Sequence, residues 1–192
     1  MDCESKLKKD FLFDCNNIPQ AGLLKAVLVN TEDINIAETE ASYDPINNVY
    51  KDFVLKTDTD IRGYLVEQKN DSLNGTKWEV VSGTFTNGTK HTFAFVAFDR
   101  SSKAKLNIDK ILNGSFCALV MNKKSDETVK IEILGYDDPL VVPTGSQDYV
   151  AEDSAGNIIL TLENKFSGRL PLSLFDTDLA TTIAKFESLY AD

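Results

Sequence analysis

The chain is poor in the groups that build most recognisable sites. It has one histidine, His91, in 192 residues, and its three cysteines, Cys3, Cys15 and Cys117, stand in no zinc-binding spacing. A tetrahedral zinc site therefore lacks its ligands. A Cys3–Cys15 disulfide and a reduced intracellular chain both fit the odd count, and the reduced chain is the expectation. Basic charge is scarce too: 20 Lys and Arg against 30 Asp and Glu leave a net charge of −10. That balance repels a phosphate backbone and removes the electrostatic attraction on which nucleic-acid binding depends. No apolar run approaches the roughly 20 residues needed to cross a bilayer, so no membrane partner is expected. The opening "MDCESKLKKDFLFDC" carries charges where a signal peptide has its apolar segment, which argues against secretion. The sequons at Asn70, Asn74, Asn87 and Asn113 then read as accidents of turn sequences.

Reaction motifs are missing as well. There is no G-x-S-x-G nucleophile setting, no G-x-G-x-x-G and no G-x-x-x-x-G-K-[ST]. The glycines are scattered singly among strands and turns, so no phosphate cradle of a known kind is present. No cofactor is expected, and a non-enzymatic protein is the leading expectation.

What the chain has is strands. Hydrophobic residues make up 42% of it and aromatics 9%, a globular composition long enough for one sizeable core. A single domain, 1–192, is expected, with an aperiodic N-terminal arm over 1–20 and an acidic connection over 31–48. "AGLLKAVLVN" reads as a strand over 22–30. "VYKDFVLK" (49–56) and "IRGYLVEQK" (61–69) lie a hairpin-sized "TDTD" apart. "TKWEVVSGTFT" (76–86) and "TKHTFAFVAF" flank Asn87-Gly88, the pair that suits a type I′ hairpin turn. "SFCALVMN" (115–122), "ETVKIEILGY" (127–136), "NIILTLEN" (157–164) and "GRLPLSL" (168–174) complete the β pattern, with a polar loop at 143–156.

Two helices are expected. "SSKAKLNIDKILNG" opens on serines able to cap, carries Ile108, Ile111 and Leu112 on one face, and stops at Asn113-Gly114, giving a helix at about 101–113. Leu179, Ile183, Phe186 and Tyr190 recur at helical spacing behind an acidic start, giving a C-terminal helix at about 177–190. Strands without strand–helix alternation point to a mainly antiparallel β-sandwich or barrel with helices packed outside.

Few residues qualify for a site. His91 alternates with Phe93, Phe95 and Ala97 on a strand apolar on both faces, which suits a central strand. Its place just after the turn predicts a structural or surface histidine, although a histidine–carboxylate enzyme is a third reading. Asp137 and Asp138, with Asp148, Glu152 and Asp153 a loop away, have the oxygen ligands a calcium cage uses, but solvated carboxylates are the expectation. Trp78 and Cys117 are expected in the core.

The order of features carries a resemblance. "GLLKAVLVNTEDIN" precedes a strand-rich middle with "GYLVEQK" and "KHTFAFVAF". The helix "KLNIDKILNG" comes next, then "FCALVMN", "ILGYDDPLVV" and "DSAGNIILTLENK". Over most of residues 15–175 this is similar to the tail-tube-like ring and neck proteins of bacteriophages infecting Bacteroidetes, the crAss-like phages in particular. The resemblance implies a homo-oligomeric ring in the neck or tail of a virion, made in the host cytoplasm and joined to other neck, tail or portal proteins. DNA would pass through the ring without binding tightly, and an acidic wall suits that passage. It also implies that loops bearing Glu32, Asp33, Glu38, Glu40, Asp44, Asp58 and Asp60 join or stack subunits. A loop-based binding module for carbohydrate or a partner protein is the alternative.

Overall fold

Residues 26–29 and 116–121 are apolar without a break, a pattern that leaves no face for water. In the computed structural model, which describes residues 20–58, 61–67, 76–84, 86–97, 101–124, 127–147 and 158–191, these runs pair side by side. The elements in order are β1 (Gln20–Asn30), a 3-10 turn (Thr31–Asp33), α1 (Ile36–Ala41), β2 (Tyr43–Asp44), β3 (Val49–Tyr50), β4 (Tyr64–Val66), β5 (Lys77–Ser82) and β6 (Asn87–Ala97). Then come α2 (Ser102–Asn113), β7 (Phe116–Lys124), a 3-10 turn (Glu127–Val129), β8 (Ile131–Leu134), β9 (Val141–Gln147), β10 (Ile158–Glu163), β11 (Leu172–Leu174) and α3 (Leu179–Ser188).

The strands form two sheets, one of seven in the order β2-β3-β11-β8-β7-β1-β4 and one of four in the order β5-β6-β10-β9. The chain is thus mainly β, consistent with the expected sandwich, and α2 and α3 match the two expected helices. β1 and β7 run antiparallel from Lys25 opposite Met121 to Asn30 opposite Phe116. Side chains alternate across a strand, so each of the two strands feeds both faces of the large sheet. Val27, Val29, Cys117, Leu119 and Met121 enter one core, closed by Phe186 of α3, by Leu189 just past its end, and by Ile34, Tyr50 and Phe53. Ala26, Leu28, Phe116, Ala118 and Val120 enter the other, closed by Phe93, Phe95, Leu160 and Leu162 of the small sheet. Ile108 and Ile111 of α2 pack against this second core.

Local chemistry sets the helices. The Ser101 side chain accepts from Ala104 N at 3.2 Å, and Asp178 accepts from Thr181 N at 2.8 Å, each satisfying an orphan amide of the first turn. Gly114 ends α2 with φ −95°, not in the left-handed region that the Asn-Gly stop predicts. Its small size is needed for space, since an added Cβ would lie 2.5 Å from the Phe116 ring. Leu112 is 47% exposed, so only Ile108 and Ile111 of the expected apolar face are used.

Several expectations are corrected. The 31–48 connection contains α1, whose amide at Glu38 donates to the Asn35 side chain, and the two-residue β2. The segments at 49–56 and 61–69 do not pair as a hairpin. β3 pairs with β11, in parallel, and with β2, while β4 pairs with β1. The β5–β6 hairpin forms, but its loop is 83–86, with Gly83 N donating to Thr86 O at 2.9 Å. Asn87 and Gly88 therefore lie in the ladder, opposite Ser82 and Val81. Part of the polar loop at 143–156 is strand β9. Trp78 is 48% exposed instead of buried, and no residue of β5 belongs to the core between the sheets. Cys117 lies in the core as expected. The N-terminal arm, with Cys3 and Cys15, falls outside the described residues.

The buried ladder makes a direct prediction. Leu119→Ala, at a position with no exposure, should cost about 2–5 kcal/mol. Leu106→Ala, on the outside of α2, should change stability by less than about 0.5 kcal/mol. Urea unfolding followed by far-UV circular dichroism gives both values, and equal losses would contradict the assignment of the core.

Candidate functional site

His91 is the fifth residue of β6 and faces inward with Phe93 and Phe95; it is 3% exposed, which selects the structural over the surface alternative left open by the sequence. Three protein groups meet its ring. Nδ1 accepts the Gly135 amide at 3.3 Å. Nε2 lies 3.2 Å from the Arg169 carbonyl and 3.1 Å from Thr89 Oγ1. An accepting Nδ1 assigns the hydrogen to Nε2, which donates to the Arg169 carbonyl. The Thr89 hydroxyl donates to the same carbonyl.

The backbone around the ring is equally engaged. The His91 amide donates to Asn164 Oδ1 at 2.7 Å, and the Asn164 amide returns to the His91 carbonyl at 3.2 Å. Thr89 and Ser167 exchange both backbone bonds, at 2.8 and 2.7 Å. Gly135 reaches the imidazole because it takes φ +74°, a conformation open to glycine. A Cβ there would also fall 2.5 Å from Leu140 Cγ.

The Asp137-Asp138 pair is close by and is used. Asp137 takes Arg169 Nε at 2.9 Å and Nη2 at 2.6 Å, a two-point grip on the guanidinium. Arg169 Nη1 donates to the Tyr50 hydroxyl at 3.4 Å, which donates to Glu40 at 2.9 Å. Asp138 Oδ2 accepts the amides of Lys165 and Phe166, both at 2.8 Å. The result is a clasp that fastens β6, the 135–140 turn, the 164–169 segment and β3 to one another. Burial lowers the His91 pKa below its ordinary 6.5, against the opposing pull of the Arg169 carbonyl, Asp137 and Asp138. Burial raises Tyr50 and Tyr136, and the Asp137 carboxylate raises Arg169 further.

Both ring nitrogens of His91 are thus occupied by protein atoms, and the Thr89 hydroxyl beside Nε2 gives its hydrogen to the Arg169 carbonyl. The structure brings His91, Asp137 and Glu40 of the sequence-derived candidates into one network. Asp138 braces its outer loop. Asp148, Asp153 and Asp60 lie outside the described residues, and among those described no three metal-binding side chains converge.

The remaining acids stand on the 31–58 segment. Asp33 accepts from Asn30 Nδ2 at 2.7 Å. Asp44 closes an Asx turn on Ile46 N at 3.0 Å, and its pKa is lowered by the Asn47 side chain and the Ile46 amide. Glu32, Glu38 and Asp58 are exposed. Sequence reasoning did not single out Arg169, Asn164 and Thr89, because nothing local links them to a histidine some 70 to 80 residues away in two of the three cases. A surface hollow of about 290 Å³ between Phe53, Leu55, Ile61 and Leu189 shares no residue with this network. The chain matches no family model, no curated protein and no solved structure.

The clasp predicts a pH dependence with a definite sign. A histidine whose folded pKa lies below its unfolded value adds stability above the unfolded value and withdraws it as pH falls. Wild-type stability should therefore drop between about pH 7.5 and about pH 5.5, above the range where carboxylates protonate. His91→Gln should be less stable at the upper pH but flat across that interval. Urea midpoints at four or five pH values decide it, and parallel profiles would remove His91 as the cause.

Proposed function

We propose that the chain is a structural subunit of a ring in the neck or tail of a phage virion, assembled from identical copies around the path by which DNA leaves. The observation that carries this reading is strand β5. Trp78 stands opposite His91 and Val80 opposite Thr89, and directly opposed residues share a face of the sheet. His91 and Thr89 are buried, yet Trp78 is 48% and Val80 64% exposed.

β5 is also an edge of its sheet, so a lone copy leaves a row of backbone donors and acceptors beside uncovered apolar side chains. Such an edge invites pairing and is a hazard unless something covers it. A closed ring covers it in every copy by the same contact. The net charge of −10 per copy supports the second half of the reading, because an acidic wall repels passing DNA and does not hold it. The order of strands and helices along the chain supports it as well.

Mass measurement by light scattering, with electron microscopy of the same sample, tests the ring. A multiple of 21.3 kDa with an open centre is expected. Trp78→Glu combined with Val80→Lys should abolish the closed ring with circular dichroism unchanged, since both residues lie outside the core. A wild type that stays monomeric, and that is absent from purified phage particles, would defeat the proposal.

A further inference from the structure

Charge is unevenly distributed over this acidic chain. The 31–58 segment carries seven carboxylates against two lysines, whereas α2 carries three lysines against one aspartate. The two surfaces belong to opposite sides of the seven-stranded sheet: Ile34, Tyr50 and Phe53 pack into the core beneath α3, and Ile108 and Ile111 of α2 into the core between the sheets.

Each surface joins its charges to uncovered apolar side chains. On α2, Ala104, Ile108 and Ile111 form the inward stripe, so Leu106, two residues from 104 and from 108, points away from the protein. It is 63% exposed and lies at i+3 from Lys103 and i−4 from Lys110, both exposed. On the other side of the sheet, Ile36 is 57% exposed and shares α1 with the exposed carboxylates Glu38 and Glu40, four residues after the exposed Glu32. The Lys56 amide donates to the Asp33 carbonyl at 2.9 Å and its ammonium to the Glu32 carbonyl, so one lysine stands at the edge of this acidic surface. One surface is a leucine between lysines, the other an isoleucine among carboxylates.

We propose that these surfaces are the two halves of one contact, α2 of one copy docking on the α1 surface of the next. The occupant is a second copy because a matched pair of opposite sign is present on the same chain. Since the halves lie on different sides of the molecule, the contact is head-to-tail and repeats from copy to copy. Leu106 packs on Ile36, and Lys103 and Lys110 meet Glu32 and Glu38. Like-charged pairs in any other register disfavour misalignment. The proposal rests on the reading of the chain as a self-assembling subunit and adds to it a contact separate from β5.

Two charge reversals test it, Lys103→Glu with Lys110→Glu, and Glu32→Lys with Glu38→Lys. All four residues are exposed, so both proteins should unfold at the wild-type urea midpoint when all are measured below the concentration of self-association. Each alone should lose at least tenfold in self-association by sedimentation velocity. An equimolar mixture should regain it, because every α2 then finds an α1 surface of opposite sign. In mixed ¹⁴N and ¹⁵N wild-type protein, a zero-length carbodiimide cross-link should join Lys103 or Lys110 of one copy to Glu32 or Glu38 of another. Assemblies unaffected by both reversals, or a mixture that fails to recover, would overturn this contact and leave the ring intact as a reading. A wild type monomeric at every concentration would overturn both. Binding of α2 to anionic vesicles or DNA, unchanged by the Glu32 and Glu38 reversal, would also overturn it.

Discussion

The pairing of β1 with β7 is the constraint on which the other elements depend. Both strands are apolar on alternate residues and again on the residues between, so the ladder cannot leave either face to water. Fully burying a Val, Leu, Phe or Met side chain is worth roughly 1.5–3 kcal/mol, and the two strands present eight of these across two faces. One face demands α3 and the segment around Tyr50 and Phe53; the other demands the four-stranded sheet and α2. The architecture follows as a central sheet with a cover on each side. A one-residue slip between β1 and β7 would exchange the faces of every side chain, so both covers hold the register as well as the core.

What was legible in the sequence was whatever local chemistry decides. The serine cap of α2, the heptad-like spacing of α3, the strand runs of β5 to β8 and the existence of the β5–β6 hairpin all depend on neighbours within a turn or two. What escaped depends on partners far along the chain. β3 and β4 sit a hairpin's distance apart, but β3 finds β11 more than 120 residues on and β4 finds β1. β9 looked like a loop because of Pro143 and Gly145. It is an edge strand with an irregular register between Thr161 and Glu163, the setting in which a proline fits a sheet. α1 is six residues long and buries only Thr39, too little to show a helical period.

His91 and Trp78 show the same limit from opposite sides. Both lie on correctly read strands, opposite one another in the ladder, yet one is buried and the other is not. Burial of His91 comes from the 164–169 segment and the 135–140 turn, which close over it from distant parts of the chain. Trp78 lies one strand further out, where neither of them covers it. Periodicity assigns a side chain to a face; only the extent of the opposite layer decides whether that face is covered. The clasp therefore has a mechanical role at the boundary of the sandwich. It terminates the inter-sheet core with a polar network whose geometry is held by one glycine in the left-handed region and one two-point arginine–carboxylate grip.

The charge of the chain limits how copies with such surfaces can meet. Two bodies of −10 repel at long range, and at about 0.01 M salt that repulsion extends roughly 30 Å. At about 0.15 M it fades within about 8 Å, while opposite charges in contact, partly shielded by Leu106 and Ile36, are screened much less. Association through the α2 contact would therefore strengthen as salt is first added and weaken only later, when the contact pairs are themselves screened. A purely apolar association of −10 copies would strengthen throughout, because salt removes repulsion and costs it nothing. The maximum in the middle of the salt range belongs to a surface that is locally complementary on a globally repulsive body, which is the contact proposed between α2 and the α1 surface.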